Sequence, residues 1–179
     1  MYVFAAILLL AVEPVQVPSD PGLYYFHGKE LTRIEARHVT ISQGGSRSAK
    51  IPMKSHLPMA GGTRVSAQVL GQRAEHTVTS IPVFYYRTAS GNEALGAADL
   101  VLVKLKAKRG RREFAVSSTG DWKASSGIPL RSQVEFYSKQ VDSGVYQLTP
   151  SEDLESGEYG FYLFRGRELP GLIYDFAVE

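Results

Sequence analysis

Short apolar runs separated by turn residues constrain the fold of this chain more than any other feature. Many of these runs alternate apolar with polar residues, which is the period of a half-buried β-strand. Turn-rich segments such as Ala89-Ser-Gly-Asn92 lie between them. Short strands at regular spacing are typical of an antiparallel sandwich or barrel. We therefore expect an all-β fold, and a length of 179 residues suits a single domain.

The expected strands begin with a hairpin around His27-Gly28-Lys29 and continue through the chain, with one short helix at Pro150–Leu154. The predicted strand segments are 22–26, 30–36, 38–42, 64–70, 74–79, 82–87, 98–106, 112–117, 134–138, 145–148, 159–164 and 172–178.

The chain opens with an unbroken apolar run, Met1–Leu10, which is followed by a Pro-rich stretch. The run is too short to cross a bilayer, which takes about 20 apolar residues, but it fits the apolar region of a secretory signal peptide. Against this, the run has no Lys or Arg before it, and Glu13 stands where a small residue is wanted. A buried N-terminal strand or helix is the alternative.

We expect residues 1–20 to form a signal peptide or apolar N-terminal segment with a Pro-rich spacer, and residues 21–179 to form one β-sandwich domain. The protein is then exported, to the periplasm, the cell envelope or the extracellular space.

Cysteine is absent, which excludes disulfides, thiolate chemistry and Cys-based zinc sites. His27, His38, His56 and His76 show no metal-ligand spacing, and no nucleophile elbow or phosphate-binding loop is present. Asp99, Asp121 and Asp175 have no evident carboxylate partner. We expect no catalytic residue, no metal and no cofactor. The alternative is a small hydrolase whose site is assembled from loops such as Gln43–Thr63.

One segment concentrates positive charge, because the nine residues 104–112 hold six cations. They are expected on one hairpin, where they would bind an anionic glycan, a lipid or an acidic protein surface. The alternative is a solvated hairpin whose lysines prevent edge-to-edge aggregation. Residues 150–179 carry a net charge of −5, so the same cations could also meet a neighbouring copy. The predicted anion-binding residues are Lys104, Lys106, Lys108, Arg109, Arg111 and Arg112.

Aromatic residues recur in adjacent pairs within the predicted strands. Successive strand residues face opposite sides of a sheet, so each pair sends one ring outward. Tyr25, Tyr85 and Tyr137 are the predicted outward rings, which would form a sugar-stacking platform or a protein-interaction face. Burial in the core is the alternative, since aromatic residues suit strands in any case.

Two segments share an acid-Ser-Gly-x-Tyr order: Asp142–Tyr146 and Glu155–Tyr159. The second resembles the tyrosine corner of immunoglobulin-like domains, in which a Tyr hydroxyl bonds to backbone just upstream. The resemblance implies an antiparallel immunoglobulin-like sandwich with Tyr159 as its structural corner, and it implies no activity. The C-terminal third also resembles uncharacterised exported bacterial proteins that end in a Gly-Glu-Tyr strand and an aromatic final strand.

These observations predict a non-catalytic, exported binding or structural module of the cell envelope. Its expected partners are anionic glycan, lipid or acidic protein surfaces, and the chain has no transmembrane span. Nucleic acid fits poorly, because the aromatic residues are not interleaved with the cations.

Overall fold

The computed structural model describes residues 15–44, 64–89, 96–116, 128–165 and 168–179, which are nearly all in β-structure or turns. The all-β, antiparallel prediction is confirmed. The strands are β1 (Gly22–His27), β2 (Glu30–Ile34), β3 (Ala36–His38), β4 (Thr40–Gly44), β5 (Arg64–Leu70), β6 (Thr77–Val78), β7 (Val83–Arg87), β8 (Leu100–Lys108), β9 (Arg111–Val116), β10 (Gln133–Val134), β11 (Phe136–Asp142), β12 (Val145–Pro150), β13 (Gly157–Arg165) and β14 (Glu168–Val178). Two short 3-10 helices cover Ala97–Asp99 and Leu130–Ser132.

The first sheet has five strands in the order β11-β12-β7-β1-β2, all of them antiparallel to their neighbours. β1 and β2 form the hairpin that the sequence predicts, with His27 paired to Glu30. Gly28 in its turn has a φ of 66°, a left-handed conformation that glycine adopts without steric cost. The sheet ends in two edge strands, β11 and β2.

The second sheet follows the path β3-β14-β13-β8-β9-β5-β4, and β10 and β6 are attached to β8 and β14. Its terminal strands, β3 and β4, are consecutive in the chain and are separated only by Val39. The two ends of this sheet therefore belong to one extended segment, so the sheet curls round on itself. We call it the curled sheet.

Two apolar cores lie on opposite faces of β8, β13 and β14. Between the sheets, Phe84 of β7 contacts Phe161 and Phe176, with ring centroids 5.3 and 4.8 Å apart. Inside the curled sheet, Phe114 meets Tyr162 at 5.3 Å. Neighbouring residues of a strand face opposite ways, so Phe161 and Tyr162 serve different cores. Burial on both faces accounts for the continuous apolar character of β13.

The outer face of the five-stranded sheet is also partly covered. Tyr24, Tyr85 and Val145 form a third buried cluster, and Val15 and Val17 pack against it. Nη2 of Arg87 donates a hydrogen bond to the carbonyl of Val17 at 3.2 Å. The packed domain therefore extends back at least to Val15, within the segment expected to be a spacer.

The structure departs from the expected strands at several places. The expected strands 30–36 and 134–138 are each interrupted by one residue, and their two parts belong to different sheets. Of the segment 74–79, only Thr77–Val78 is a strand, and it pairs in parallel with β14 rather than continuing a hairpin from β5. The helix expected at Pro150–Leu154 is absent. The amides of Ser151 and Leu154 donate instead to the carbonyls of Glu135 and Ser80, which long-range bonding a local pattern does not reveal. The immunoglobulin-like topology stays a prediction.

Tyr159 makes the hydrogen bond that the sequence predicts. Its ring is buried, and its hydroxyl donates to the carbonyl of Glu155 at 3.0 Å. Gly157, between them, has a φ of 156°. By contrast, Asp142-Ser-Gly144 forms the turn of the β11–β12 hairpin, so the similar sequence there has a different structure.

A second corner of the same geometry lies at Asp20-Pro-Gly22-Leu-Tyr24, which the sequence analysis missed. The Tyr24 hydroxyl donates to the carbonyl of Asp20 at 2.8 Å, and Gly22 has a φ of 153°. Both corners share the order acid-x-Gly-x-Tyr and the same spacing of four residues between acid and tyrosine. One stands at the start of β1 and the other at the start of β13, so each sheet contains one.

We predict that Tyr24→Phe and Tyr159→Phe each lower the free energy of unfolding by about 0.5–1.5 kcal/mol, because each removes one largely buried hydrogen bond. Urea denaturation measures the loss. Tyr137→Phe is the control, since that ring is 69 % exposed and its change should leave stability within about 0.5 kcal/mol of the parent. Equal stability of all three variants would show that the corners contribute nothing.

Candidate functional site

The β8–β9 hairpin is the most cationic part of the described structure. Its turn is shorter than expected, because Lys108 pairs with Arg111 and only Arg109 and Gly110 connect them. Gly110 has a φ of 76°, which suits glycine at this turn position. β13 pairs with β8 only as far as Leu105, so three further residues of β8 extend beyond it, about 10 Å at the usual strand rise.

Four exposed cations occupy this projecting end. We call Lys106, Lys108, Arg109 and Arg111 the basic tip. Among the described residues, its carboxylate neighbour is Glu113, whose oxygens lie 3.8 Å from Nζ of Lys108 and 3.5 Å from Nε of Arg111. No ion pair of Lys106 or Arg109 occurs within that described part. The tip therefore keeps most of its positive charge.

Lys104 lies at the base of the hairpin, and its charge is already compensated. Its Nζ is 2.6 Å from Oε2 of Glu155 and 5.7 Å from the ring centroid of Tyr159. The hydrogen bond between Lys104 and Glu155 raises the pKa of Lys104 and lowers the pKa of Glu155. We therefore leave Lys104 out of the basic tip, although the sequence placed it in the anion-binding cluster.

The prediction that Arg112 belongs to an exposed cluster is wrong. Arg112 has 0 % of its surface exposed. It follows Arg111 in β9, so its side chain points into the curled sheet. There Nη1 donates to the buried carboxylate of Asp175 and, at 3.2 Å, to Glu158. Arg37 adds a longer contact of 3.9 Å to Asp175.

The Arg112 guanidinium also donates hydrogen bonds to the backbone of the turn after β5. Its Nε donates to the carbonyl of Gly71 at 3.1 Å, and its Nη2 donates to the carbonyl of Leu70 at 3.3 Å. Glu158 completes the arrangement by accepting the amide of Ala74 at 2.8 Å. We call Arg112, Asp175 and Glu158 the buried ion network.

Two residues beside the basic tip were not singled out in the sequence. The amide of Gly71 donates to the carbonyl of Gly110 at 3.0 Å, which joins the turn after β5 to the hairpin turn. Arg73 is exposed in that turn, and Leu70 is 71 % exposed at the end of β5. Their nearness depends on the pairing of β5 with β9, which a local pattern does not specify.

The predicted aromatic platform does not form. Tyr25 is buried in the core between the sheets, where its ring lies 5.6 Å from that of Phe84. Tyr85 faces outward but is buried in the third cluster with the N-terminal segment, and this burial raises its pKa. Tyr137 on the edge strand β11 is exposed as predicted. A single exposed ring does not make a stacking surface.

Two adjoining grooves run beside β10 and the start of β11. One, of about 500 Å³, is lined in part by Leu130 and Tyr137, which are 78 % and 69 % exposed. The other, of about 370 Å³, contains carboxylates from Glu135, Glu152 and Asp153 as well as the Lys104–Glu155 pair. Ser151 borders both, but its hydroxyl donates to the carbonyl of Glu135, and no described lining residue is a histidine.

Groups that carry catalytic or metal chemistry do not gather in the described structure. Within it, no three His, Asp or Glu side chains approach in a way that could hold a metal ion. His27 packs against Tyr25, His38 is exposed, and Asp99 accepts a hydrogen bond from the amide of Gly96 at 2.7 Å.

The predictions for His56, for Asp121 and for most of the loop Gln43–Thr63 lie outside the described residues.

Among the described residues, no helix is long and apolar enough to span a membrane. Comparison with protein-family models, with curated proteins and with solved structures finds no match to this chain.

We predict that Arg112→Met lowers the free energy of unfolding by about 3–5 kcal/mol, because it removes the hydrogen-bonded partner of the buried Asp175 carboxylate and leaves only the longer contact with Arg37. Arg109→Met is the matched control, since exposed Arg109 should change stability by no more than about 0.5 kcal/mol. Urea denaturation of the two variants measures the difference. Equal unfolding midpoints would show that the buried ion network does not stabilise this end of the fold.

Proposed function

We propose that this chain is an exported, non-catalytic binding module of the cell envelope that docks anionic ligands through the basic tip. The observation that carries the proposal is the placement of Lys106, Lys108, Arg109 and Arg111 on a hairpin that extends beyond its neighbouring strand. The four exposed cations there have one neighbouring carboxylate, Glu113, so most of their positive charge is not compensated and attracts anions.

The separation of roles along β9 supports a binding role for the tip. Arg112 stabilises the fold from inside, whereas Arg111, one residue earlier, is about half exposed. Exposed charges contribute little to folding, so the fold itself does not account for this concentration of cations. Protection of the free edge of β8 is the alternative explanation, because lysines also discourage edge-to-edge pairing.

The non-catalytic part of the proposal rests on where the carboxylates lie and on the cations with which they pair. Asp175, the most deeply buried described carboxylate, is paired with Arg112 and lines neither of the two grooves described above. The groove carboxylates are on an open surface, where Glu155 is paired with Lys104. Neither arrangement supplies the poised acid–base pair that a hydrolase needs.

We predict that the tip variant Lys106→Gln, Lys108→Gln, Arg109→Gln elutes from a heparin column at clearly lower salt than the parent. The control variant Lys29→Gln, Arg131→Gln, Lys139→Gln removes the same number of charges of the same kinds from exposed sites elsewhere. It should elute close to the parent. Binding should also weaken steeply with salt, since the screening length falls from about 8 Å at physiological salt to about 3 Å at 1 M.

The two variants have equal net charge, so the comparison isolates the position of the cations. If the parent is retained on heparin and the two variants elute together, the basic tip is an edge-protecting feature and the proposed function is wrong.

We also propose that export removes the apolar run Met1–Leu10 and leaves Val15 in the mature chain. Val15 and Val17 pack against the outer face of the five-stranded sheet, so cleavage after Val17 would uncover Tyr24 and Tyr85. Intact-mass analysis of the exported protein should therefore give a start at or before Val15. A start after Val17 would contradict the structural role of this segment, and a mass that includes Met1 would contradict cleavage.

A further inference from the structure

An exposed apolar side chain stands in line with the cations of the basic tip. Across three neighbouring strands, Lys108 pairs with Arg111, and Arg111 pairs with Leu70. Directly opposed residues point to the same face, with Cβ atoms about 4.5–5.5 Å apart. Lys108, Arg111 and Leu70 therefore form one row, and the turn cation Arg109 lies beside its end.

Hydrogen bonds to the backbone hold the Leu70 end of the row in place. Leu70 is the last residue of β5, and its carbonyl accepts a bond from the buried Arg112. The next residue, Gly71, bonds to Gly110 of the hairpin turn. The two turns thus form a joined surface that presents one leucine and several cations together, although 71 % of Leu70 is exposed to water.

The chemistry of this row distinguishes between anionic ligands. Cations alone suit any polyanion, whereas a soluble sulfated or phosphorylated glycan offers nothing apolar to a leucine. A bilayer that carries anionic headgroups offers both, because a side chain at the tip can enter the boundary between headgroups and acyl chains while Lys and Arg remain among the phosphates.

We propose that the basic tip docks on the surface of an anionic lipid bilayer and that Leu70 inserts into it. The inference rests on the proposed function, since it names the ligand of the same site. Each cation near such a surface strengthens binding roughly fivefold. Burial of a leucine side chain adds roughly tenfold to a hundredfold.

Vesicle binding tests the role of Leu70. The full chain is mixed with vesicles of phosphatidylcholine, or of phosphatidylcholine with phosphatidylglycerol, and bound protein is measured by sedimentation. Leu70→Ser should weaken binding to the anionic vesicles about tenfold or more and leave heparin elution unchanged. Leu130→Ser is the matched control, because Leu130 is similarly exposed but lies in the groove beside Leu100–Leu102, at the other end of β8.

The absence of cysteine allows a second, direct readout. Leu70→Cys or Leu130→Cys gives a single thiol for an environment-sensitive fluorophore. The label at position 70 should shift its emission to the blue with anionic vesicles, and the label at position 130 should not. Any vesicle binding by the apolar run Met1–Leu10 would not depend on anionic lipid or on the identity of residue 70.

The heparin and vesicle results together test the lipid inference separately from the proposed function. Heparin binding without binding to anionic vesicles overturns the lipid inference and leaves the proposed function standing. Vesicle binding that Leu70→Ser does not weaken, or equal emission shifts at positions 70 and 130, also overturns it. Failure to bind either heparin or vesicles overturns the proposed function, and the inference with it.

Discussion

The buried guanidinium of Arg112 is the interaction on which the basic end of the molecule depends. A charge removed from water is costly unless ion pairs and hydrogen bonds replace its hydration, and Arg112 obtains both. It reaches Asp175 on β14, Glu158 on β13 and the carbonyls of Leu70 and Gly71. One side chain therefore joins β9, two other strands of the curled sheet and the turn after β5.

Alternation along one strand separates the stabilising arginine from the exposed one. Arg111 and Arg112 are adjacent and chemically identical, yet one faces solvent and the other faces a carboxylate inside the sheet. A slip of one residue in the pairing of β9 would exchange them and bury a charge without its partners. The buried ion network thus fixes the register that brings Arg111 between Lys108 and Leu70.

Local patterns in the sequence predicted much of the architecture. The β8–β9 hairpin, the β1–β2 hairpin and the Tyr159 hydrogen bond each depend on residues close together in the chain, and each was found at the expected place. In such cases the alternation of apolar residues and the turn glycines contain sufficient information.

The rest depends on which strands become neighbours. In the sequence, Arg112 is one more cation in a basic segment, because its partner Asp175 lies 63 residues away. Tyr85 reads as an outward ring until Val15 and Val17 are known to cover it. Leu70 gains its relation to the basic tip from the pairing of β5 with β9. Periodicity within one strand does not specify these long-range pairs.

The two tyrosine corners have a consequence for the way in which this chain folds. Most pairings in the curled sheet join strands that are far apart in sequence, and such contacts are slow to form because long loops must close first. Each corner closes a segment of five residues through a single hydroxyl, across a glycine whose φ of 153° or 156° is accessible to glycine. A local contact of this kind costs little loop entropy. Each sheet therefore contains one strand, β1 or β13, whose first residues can take up their native conformation before the strand pairs with its distant neighbours.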